Sequence, residues 1–185
     1  GDYVTYDIND ESIIVVRETA ERIRAFHNVC KHRGRRITEG CGTAQRLQCR
    51  YHAWQWGLDG KVIRFLDRSD WDGGPDMDDE HFALPEIKLD TWAGFVFVNF
   101  DANAEPLANY LAPVPEYTDC YEFENMRYRW YKSVRLPCNW KVALEAFNEG
   151  YHVFGTHPQL LDSQGDDVTR SFTFGRHGMF GYPAP

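Results

Sequence analysis

Two short segments concentrate the side chains that bind transition metals. Cys30-Lys31-His32 and Cys49-Arg50-Tyr51-His52 form C-x-H and C-x2-H, separated by sixteen residues. Two thiolates and two imidazoles at this spacing can close around one metal centre if two turns bring the loops face to face. Mixed ligation suits a [2Fe-2S] cluster in which two Cys hold one iron and two His the other, which raises the potential above that of an all-thiolate centre. Each loop would then supply one ligand to each iron. The same atoms also fit a tetrahedral Cys2His2 zinc site, although zinc fingers usually place the Cys pair in one half and the His pair in the other. Cys41, Cys120 and Cys138 have no partner at motif spacing and read as buried or free thiols.

A second group lies about a hundred residues on, in NWKVALEAFNEGYHVFGTH, which begins at Asn139. Asn139 can cap a helix running to about Phe154, with Gly155 and Pro158 as stop signals. On that helix Glu145, Glu149 and His152 fall at i, i+4 and i+7 and share a face. His157 follows His152 by five residues and can return to the same side once Gly155 ends the helix. Two imidazoles and a carboxylate make the facial triad of non-haem Fe(II), which leaves positions open for O2 and substrate. The plainer alternative is a polar helix with two unrelated surface histidines.

Short strands must position the first group. Ser12 to Arg17 and Ile23 to Asn28 are compact β-branched or aromatic runs, and Trp54, Trp56 and Leu58 alternate with smaller or polar residues before Asp59-Gly60, a tight-hairpin signal ahead of Lys61 to Ile63. Trp54 and Trp56 read as packing around the metal-binding loops. Trp92 to Phe100 is apolar on both faces and predicts a buried strand, and the acidic stretch Asp67 to Glu80 predicts a solvated loop. The segment from Ala104 to Pro115, with two prolines after a short helical candidate, predicts a connection between domains spanning 1–105 and 106–185. Glu122 to Leu136 predicts a long aromatic-rich strand.

Composition bounds the rest. The chain has 185 residues, 28 acidic against 20 basic, for a net charge of −8. That balance disfavours a nucleic-acid backbone as main partner, and the basic run Lys31 to Arg36 reads as a local solvated loop. The longest apolar stretch is seven residues, Trp92 to Val98, far below the roughly 18 to 20 of a membrane-spanning helix. Five cysteines suggest no disulfide framework, and with no signal peptide a reducing, cytoplasmic setting is expected.

The first motif and its flanks, AFHNVCKHRG and YHAWQWGLDGKV, resemble the Rieske domain of oxygenases. With Asn139-Trp140-Lys141, Glu145, Glu149, Tyr151-His152 and His157, the whole chain is similar to the large (alpha) subunit of Rieske non-haem iron oxygenases, the aromatic ring-hydroxylating dioxygenases. The resemblance implies an α+β fold. A mainly antiparallel β Rieske [2Fe-2S] domain would precede the first part of a helix-grip (START/Bet v 1-like) catalytic domain. It implies that Cys30, His32, Cys49 and His52 bind the cluster and that His152 and His157 bind a mononuclear Fe(2+). Glu149 would stand where an acidic residue joins the cluster of a neighbouring subunit to that iron. It further implies O2-dependent hydroxylation of an aromatic or other small organic substrate, with electrons from an NAD(P)H-dependent reductase, through a ferredoxin in some systems. The expected assembly is a homotrimer or alpha3beta3, with no nucleic acid or membrane. A Rieske electron-transfer protein without oxygenase activity is the reading from another class.

Two positions depart from the ring dioxygenases. They usually carry Asp where this chain has Glu149, which looks more like members that oxidise quaternary amines such as carnitine or glycine betaine. Ala146 stands where many relatives have Asn. The family also takes a third iron ligand from much further along the chain. Here only Asp162, Asp166 and Asp167 follow within a loop candidate, so a segment of a longer subunit is expected.

Overall fold

The structure, a computed structural model, describes residues 1–66, 68–70, 79–163 and 170–181. The loop expectation for 67–80 therefore falls largely outside the described residues, as do Asp166 and Asp167 and the side chain of Asp162. The chain divides into two compact units, Gly1–Leu107 and Ala108–Pro185.

The first unit is antiparallel β. Its larger sheet takes the order β4 (Cys41–Thr43), β1 (Asp2–Ile8), β2 (Glu11–Arg17), β3 (Ile23–His27), β8 (Glu86–Trp92) and β9 (Phe95–Asn99). A smaller sheet joins β5 (Leu47–Gln48), β6 (Gln55–Trp56) and β7 (Val62–Arg64). The sequence of β2 explains its central place. Successive side chains point to opposite faces, and both faces of Ser12-Ile13-Ile14-Val15-Val16 are apolar after Ser12. Ile14 and Val16 join the core that contains Phe26, Leu47, Trp54, Trp56, Phe65 and Phe82, while Ile13 packs with Ala25 and Ile87 on the other side. A register slip of one residue would exchange the two sets, so the pairing Ile14↔Phe26 is strongly specified.

The Asp59-Gly60 hairpin forms as the sequence suggests: the Lys61 amide donates to Asp59 Oδ1 at 3.1 Å and the Gly57 amide to the Lys61 carbonyl at 2.8 Å. Trp92 to Phe100 behaves differently from the expected single strand. Trp92 ends β8, and Ala93 (φ 50°) and Gly94 (φ 82°) take the two left-handed positions of a primed hairpin turn that starts β9. Phe95 and Val96 are exposed rather than buried, because β9 is the sheet's edge strand.

In the second unit α1 (Leu107–Leu111) and α2 (Val114–Thr118) lead into two 3-10 turns ending at Asn125. The hairpin β10 (Arg170–Phe174) and β11 (His177–Gly181) packs against them, with Tyr117 and Phe174 rings 4.8 Å apart and the His177 ring edge-on to Tyr110 at 5.5 Å. The expected strand over Glu122 to Leu136 is replaced by 3-10 turn and then irregular chain. A strand needs a ladder partner, and among the described residues of this unit β10 and β11 pair only with each other. Tyr128, Trp130 and Tyr131 remain exposed.

The helix expected from Asn139 to Phe154 is also interrupted. Asn139 caps it as read, its Oδ1 accepting from the Lys141 amide at 2.9 Å, but α3 covers only Trp140–Glu145 and α4 only Val153–Thr156. Between them the hydrogen bonds tighten to i→i−3, Phe147 to Leu144 and Asn148 to Glu145. Gly150 then lies so close to Phe180 that a Cβ would sit 2.5 Å from the ring. Asn148 and Gly150, both poor helix formers, fall within this break, and no side chain larger than glycine fits beside Phe180.

Candidate metal centres

Cys30 and Cys49 each begin a loop of the same design. The Cys30 amide donates to the Arg35 carbonyl at 2.8 Å and the Gly34 amide returns to the Cys30 carbonyl at 2.9 Å. In the other loop the Cys49 amide donates to the Trp54 carbonyl at 2.9 Å and the Ala53 amide to the Cys49 carbonyl at 3.0 Å. Gly34 (φ 71°) and Ala53 (φ 56°) occupy the same left-handed position in each loop, four residues after the cysteine. The two loops are therefore near-equivalent turns, and each carries its histidine within two or three residues of its thiol.

The loops meet as the spacing requires. Both thiols are free and buried, at 3% and 1% exposure, within the core that also holds Trp54 and Leu47. The rings of His32 and His52 lie edge to face at 4.6 Å. His32 stacks on the indole of Trp54 at 5.1 Å and 6°, and Trp54 is wedged against Phe65 and Phe82. His52 lies against Tyr51. Burial pushes the Cys30 thiol up, and the neighbouring Cys49 adds to the effect. Burial likewise pulls His32 down, with His52 and Arg33 contributing. Two adjacent buried thiolates are unfavourable without cations to neutralise them. The Tyr51 amide donates to Cys49 Sγ at 3.5 Å, a contact that stabilises negative charge on sulfur.

This donor set fits a two-iron cluster. Thiol is beside thiol and imidazole beside imidazole, the division that mixed ligation demands. Among the described residues no three His, Cys, Asp or Glu side chains gather as the ligands of one ion. Cys41, Cys120 and Cys138 are free and exposed.

The sequence reading passed over Asn28, two residues before Cys30 and fully buried. Its Oδ1 accepts from the amides of Ile37 and Thr38 at 2.9 and 3.2 Å, and its Nδ2 donates to the Thr38 carbonyl at 2.8 Å and to Ser12 Oγ at 3.1 Å. One amide thus ties the exit of the first loop to β2. A polar residue among the apolar positions of AFHNV was the available signal. Replacing Asn28 by Ala should cost about 3 kcal/mol, because several buried backbone groups lose their partner. Urea unfolding would read it, and a loss below about 1 kcal/mol would show that this amide is not what anchors the loop.

In the second unit the site forms without a continuous helix. Glu149 bends back over the turn that follows it: Oε2 accepts from the amides of Tyr151 and His152, the latter at 3.2 Å, and Oε1 meets His152 Nδ1. The His152 contacts and the two amides hold the Glu149 carboxyl below the usual range. His152 and His157 flank α4, their rings 5.5 Å apart and near perpendicular. Glu145 ends α3 and has no hydrogen bond or ion pair with either histidine. With Nδ1 directed to a carboxylate, the His152 imidazole presents Nε2 to a metal, the usual orientation of a metal-binding histidine. Two neighbouring imidazoles would supply two of the ligands that a mononuclear non-haem iron takes.

Residues 1–70 match the Rieske [2Fe-2S] domain, and residues 123–184 match the ring hydroxylating alpha subunit (catalytic domain). The glycine betaine monooxygenase oxygenase subunit of Pseudomonas aeruginosa is 33% identical over 172 residues, 91% of this chain and 39% of that protein. The carnitine monooxygenase oxygenase subunit of Escherichia coli K12 is 36% identical over 168 residues, 88% of this chain and 44% of that protein. The crystal structure of the quaternary ammonium Rieske monooxygenase CntA with L-carnitine superimposes with a TM-score of 0.84 at 31% identity, covering 94% of this chain and 49% of that one. The chain thus spans less than half the length of these relatives. Among the described residues no helix is long and apolar enough to cross a membrane.

Proposed function

We propose, for a chain that belongs to the Rieske non-haem iron oxygenase family, that Cys30, His32, Cys49 and His52 hold the [2Fe-2S] cluster and His152 and His157 the mononuclear iron of a terminal oxygenase. When bound, the cluster relays single electrons and the mononuclear iron activates O2. The observation that carries this reading is the contact between Glu149 and His152 Nδ1, made beside His157.

The chain's own residues do the positioning. Cys30 and Cys49, brought to the same core by equivalent loops, present two thiolates on one side, and His32 and His52 present two imidazoles on the other. Trp54 shields His32 from water. Glu149, clamped by two backbone amides, orients His152 and keeps a negative charge beside it. Its place suits a bridge to the cluster of a neighbouring subunit. An NAD(P)H-dependent reductase supplies the electrons, in the cytoplasm, and the assembly is a homotrimer or alpha3beta3.

The substrate class we favour is a quaternary ammonium compound, supported by Glu149 at the bridging position and by similarity to the glycine betaine and carnitine enzymes. The net change takes O2, two electrons and two protons. One oxygen atom enters a C–H bond next to the ammonium nitrogen and the other leaves as water. The resulting carbinol collapses to an aldehyde and a tertiary amine, releasing a proton. Oxygen uptake by the intact subunit with a reductase, scored against aldehyde formed from glycine betaine, carnitine or an aromatic hydrocarbon, tests this. Coupled turnover only with the hydrocarbon would replace the quaternary ammonium assignment with ring hydroxylation.

Replacing Glu149 by Gln should preserve an acceptor for His152 Nδ1, so both metals remain bound and the cluster remains reducible. Loss of the charge should slow electron arrival at the iron about 10- to 100-fold, the range for residues that support metal ligands. Single-turnover reoxidation of the cluster at the wild-type rate would refute the bridging role.

A further inference from the structure

The two faces of the β10–β11 hairpin meet different parts of the second unit. Residues directly opposite in an antiparallel pair share a face, and the next pair along points the other way. Phe174 and His177 form one such pair, and their face is seated on the helices: Phe174 packs on Tyr117, and His177 Nε2 donates to the Tyr110 carbonyl. Ser171 and Phe180 form a pair on the opposite face. Both reach the turn that precedes His152. Ser171 Oγ donates to the Asn148 carbonyl at 3.2 Å, and the Phe180 ring covers Gly150 so closely that a Cβ there would lie 2.5 Å from it.

Asn148 and Gly150 are the two chain neighbours of Glu149. The Asn148 carbonyl belongs to the peptide that leads into Glu149, so a hydrogen bond there restrains that peptide plane. The ring restrains the backbone on the other side. Between these two points the Glu149 carboxylate turns over the amides of Tyr151 and His152 and meets His152 Nδ1.

We propose that Ser171 and Phe180 are positioning residues for Glu149 and, through it, for the imidazole of His152. The proposal rests on the oxygenase reading above and extends it to a hairpin beyond both histidines. A half-exposed carboxylate on a turn orients its neighbour only if the backbone beneath it is fixed, since a free turn lets the side chain sample several rotamers. The hairpin can act as that brace because its other face is held by Tyr110 and Tyr117. Ser171 and Asn148 are themselves exposed, so water could satisfy the hydroxyl and the carbonyl separately. Burial alone does not call for their contact.

The test is release of the mononuclear iron from the intact, iron-loaded subunit to the Fe(II) chelator ferrozine, with the ferrous nitrosyl EPR signal reporting the ligand arrangement. Ser171→Ala should release this iron about fivefold faster, the factor that one neutral hydrogen bond contributes. Phe180→Leu should act in the same direction, and both variants should shift the nitrosyl signal while the [2Fe-2S] absorption stays unchanged. Ser171→Thr keeps the hydroxyl and should restore the wild-type rate. In a Glu149→Ala background the Ser171→Ala change should add nothing, because the group it positions is gone. Ser171 is exposed, so its variants keep the test open even if Phe180→Leu unfolds the hairpin.

Wild-type iron release and a wild-type nitrosyl signal in Ser171→Ala would overturn the proposal. A lower thermal midpoint with both iron readouts unchanged would overturn it in favour of a purely structural hairpin. The full Ser171→Ala effect in the Glu149→Ala background would overturn the route through Glu149. These results leave the oxygenase reading standing, whereas a wild-type subunit with the cluster but no nitrosyl signal would overturn both together.

Discussion

Replacing Cys49 by Ser should remove the [2Fe-2S] centre while leaving the mononuclear iron in place. Cys49 is 1% exposed and its backbone closes the second loop through Trp54 and Ala53. Serine preserves those backbone bonds but offers an alcohol that ionises far less readily than a thiol, with a shorter reach. Only Cys30 would then remain to hold one of the irons, and burial already disfavours its thiolate. The expected result is loss of two irons and both sulfides per chain, loss of visible absorption, and turnover reduced to background when electrons are supplied by a reductase. Far-ultraviolet circular dichroism should change little, since the antiparallel sheet of β1 to β3 is anchored by Ile14, Val16 and Phe26. A variant that keeps the spectrum would mean that Cys49 is not a ligand.

The second large effect is expected at the other centre. His152→Ala removes the imidazole that Glu149 contacts and should lower iron affinity about 100-fold or more, since even residues that merely support a metal ligand cost 10- to 100-fold. Iron should fall by one per chain and product formation should cease, with the cluster spectrum and its reduction by a donor unaffected. His157→Ala should behave in the same way, because its ring faces His152 across α4 and no described carboxylate takes its place. Loss of the cluster in either variant would contradict two separate centres.

The two centres were legible to different degrees. At the first, the types and spacing of the proposed ligands are local properties of two turns, so C-x-H and C-x2-H could be read directly, and the strands around them followed from β-branched runs. What the spacing did not reveal was the equivalence of the loops, because Ala53 occupies a left-handed position that Gly34 advertises and alanine does not. Asn28 was missed for a similar reason: a buried asparagine looks like a turn residue until its four hydrogen bonds are seen. At the second centre the residue types were readable but the geometry was not. Helical periodicity put Glu145, Glu149 and His152 on one face, whereas the structure breaks the helix and brings Glu149 to His152 by folding its side chain over a turn. At that break Gly150 is approached by Phe180, a contact thirty residues away in sequence that periodicity does not show. The strand expected over Glu122 to Leu136 likewise depends on a pairing partner that periodicity does not supply.

The central claim is that one chain holds a two-iron cluster through Cys30, His32, Cys49 and His52 and a third iron through His152 and His157. Quantifying iron, zinc and acid-labile sulfide in the intact purified subunit tests it most directly. The account predicts about three irons and two sulfides per chain without zinc, the sum of a [2Fe-2S] centre and one mononuclear site. Two irons with two sulfides, which would make the protein an electron carrier alone, or one zinc without sulfide, would contradict it.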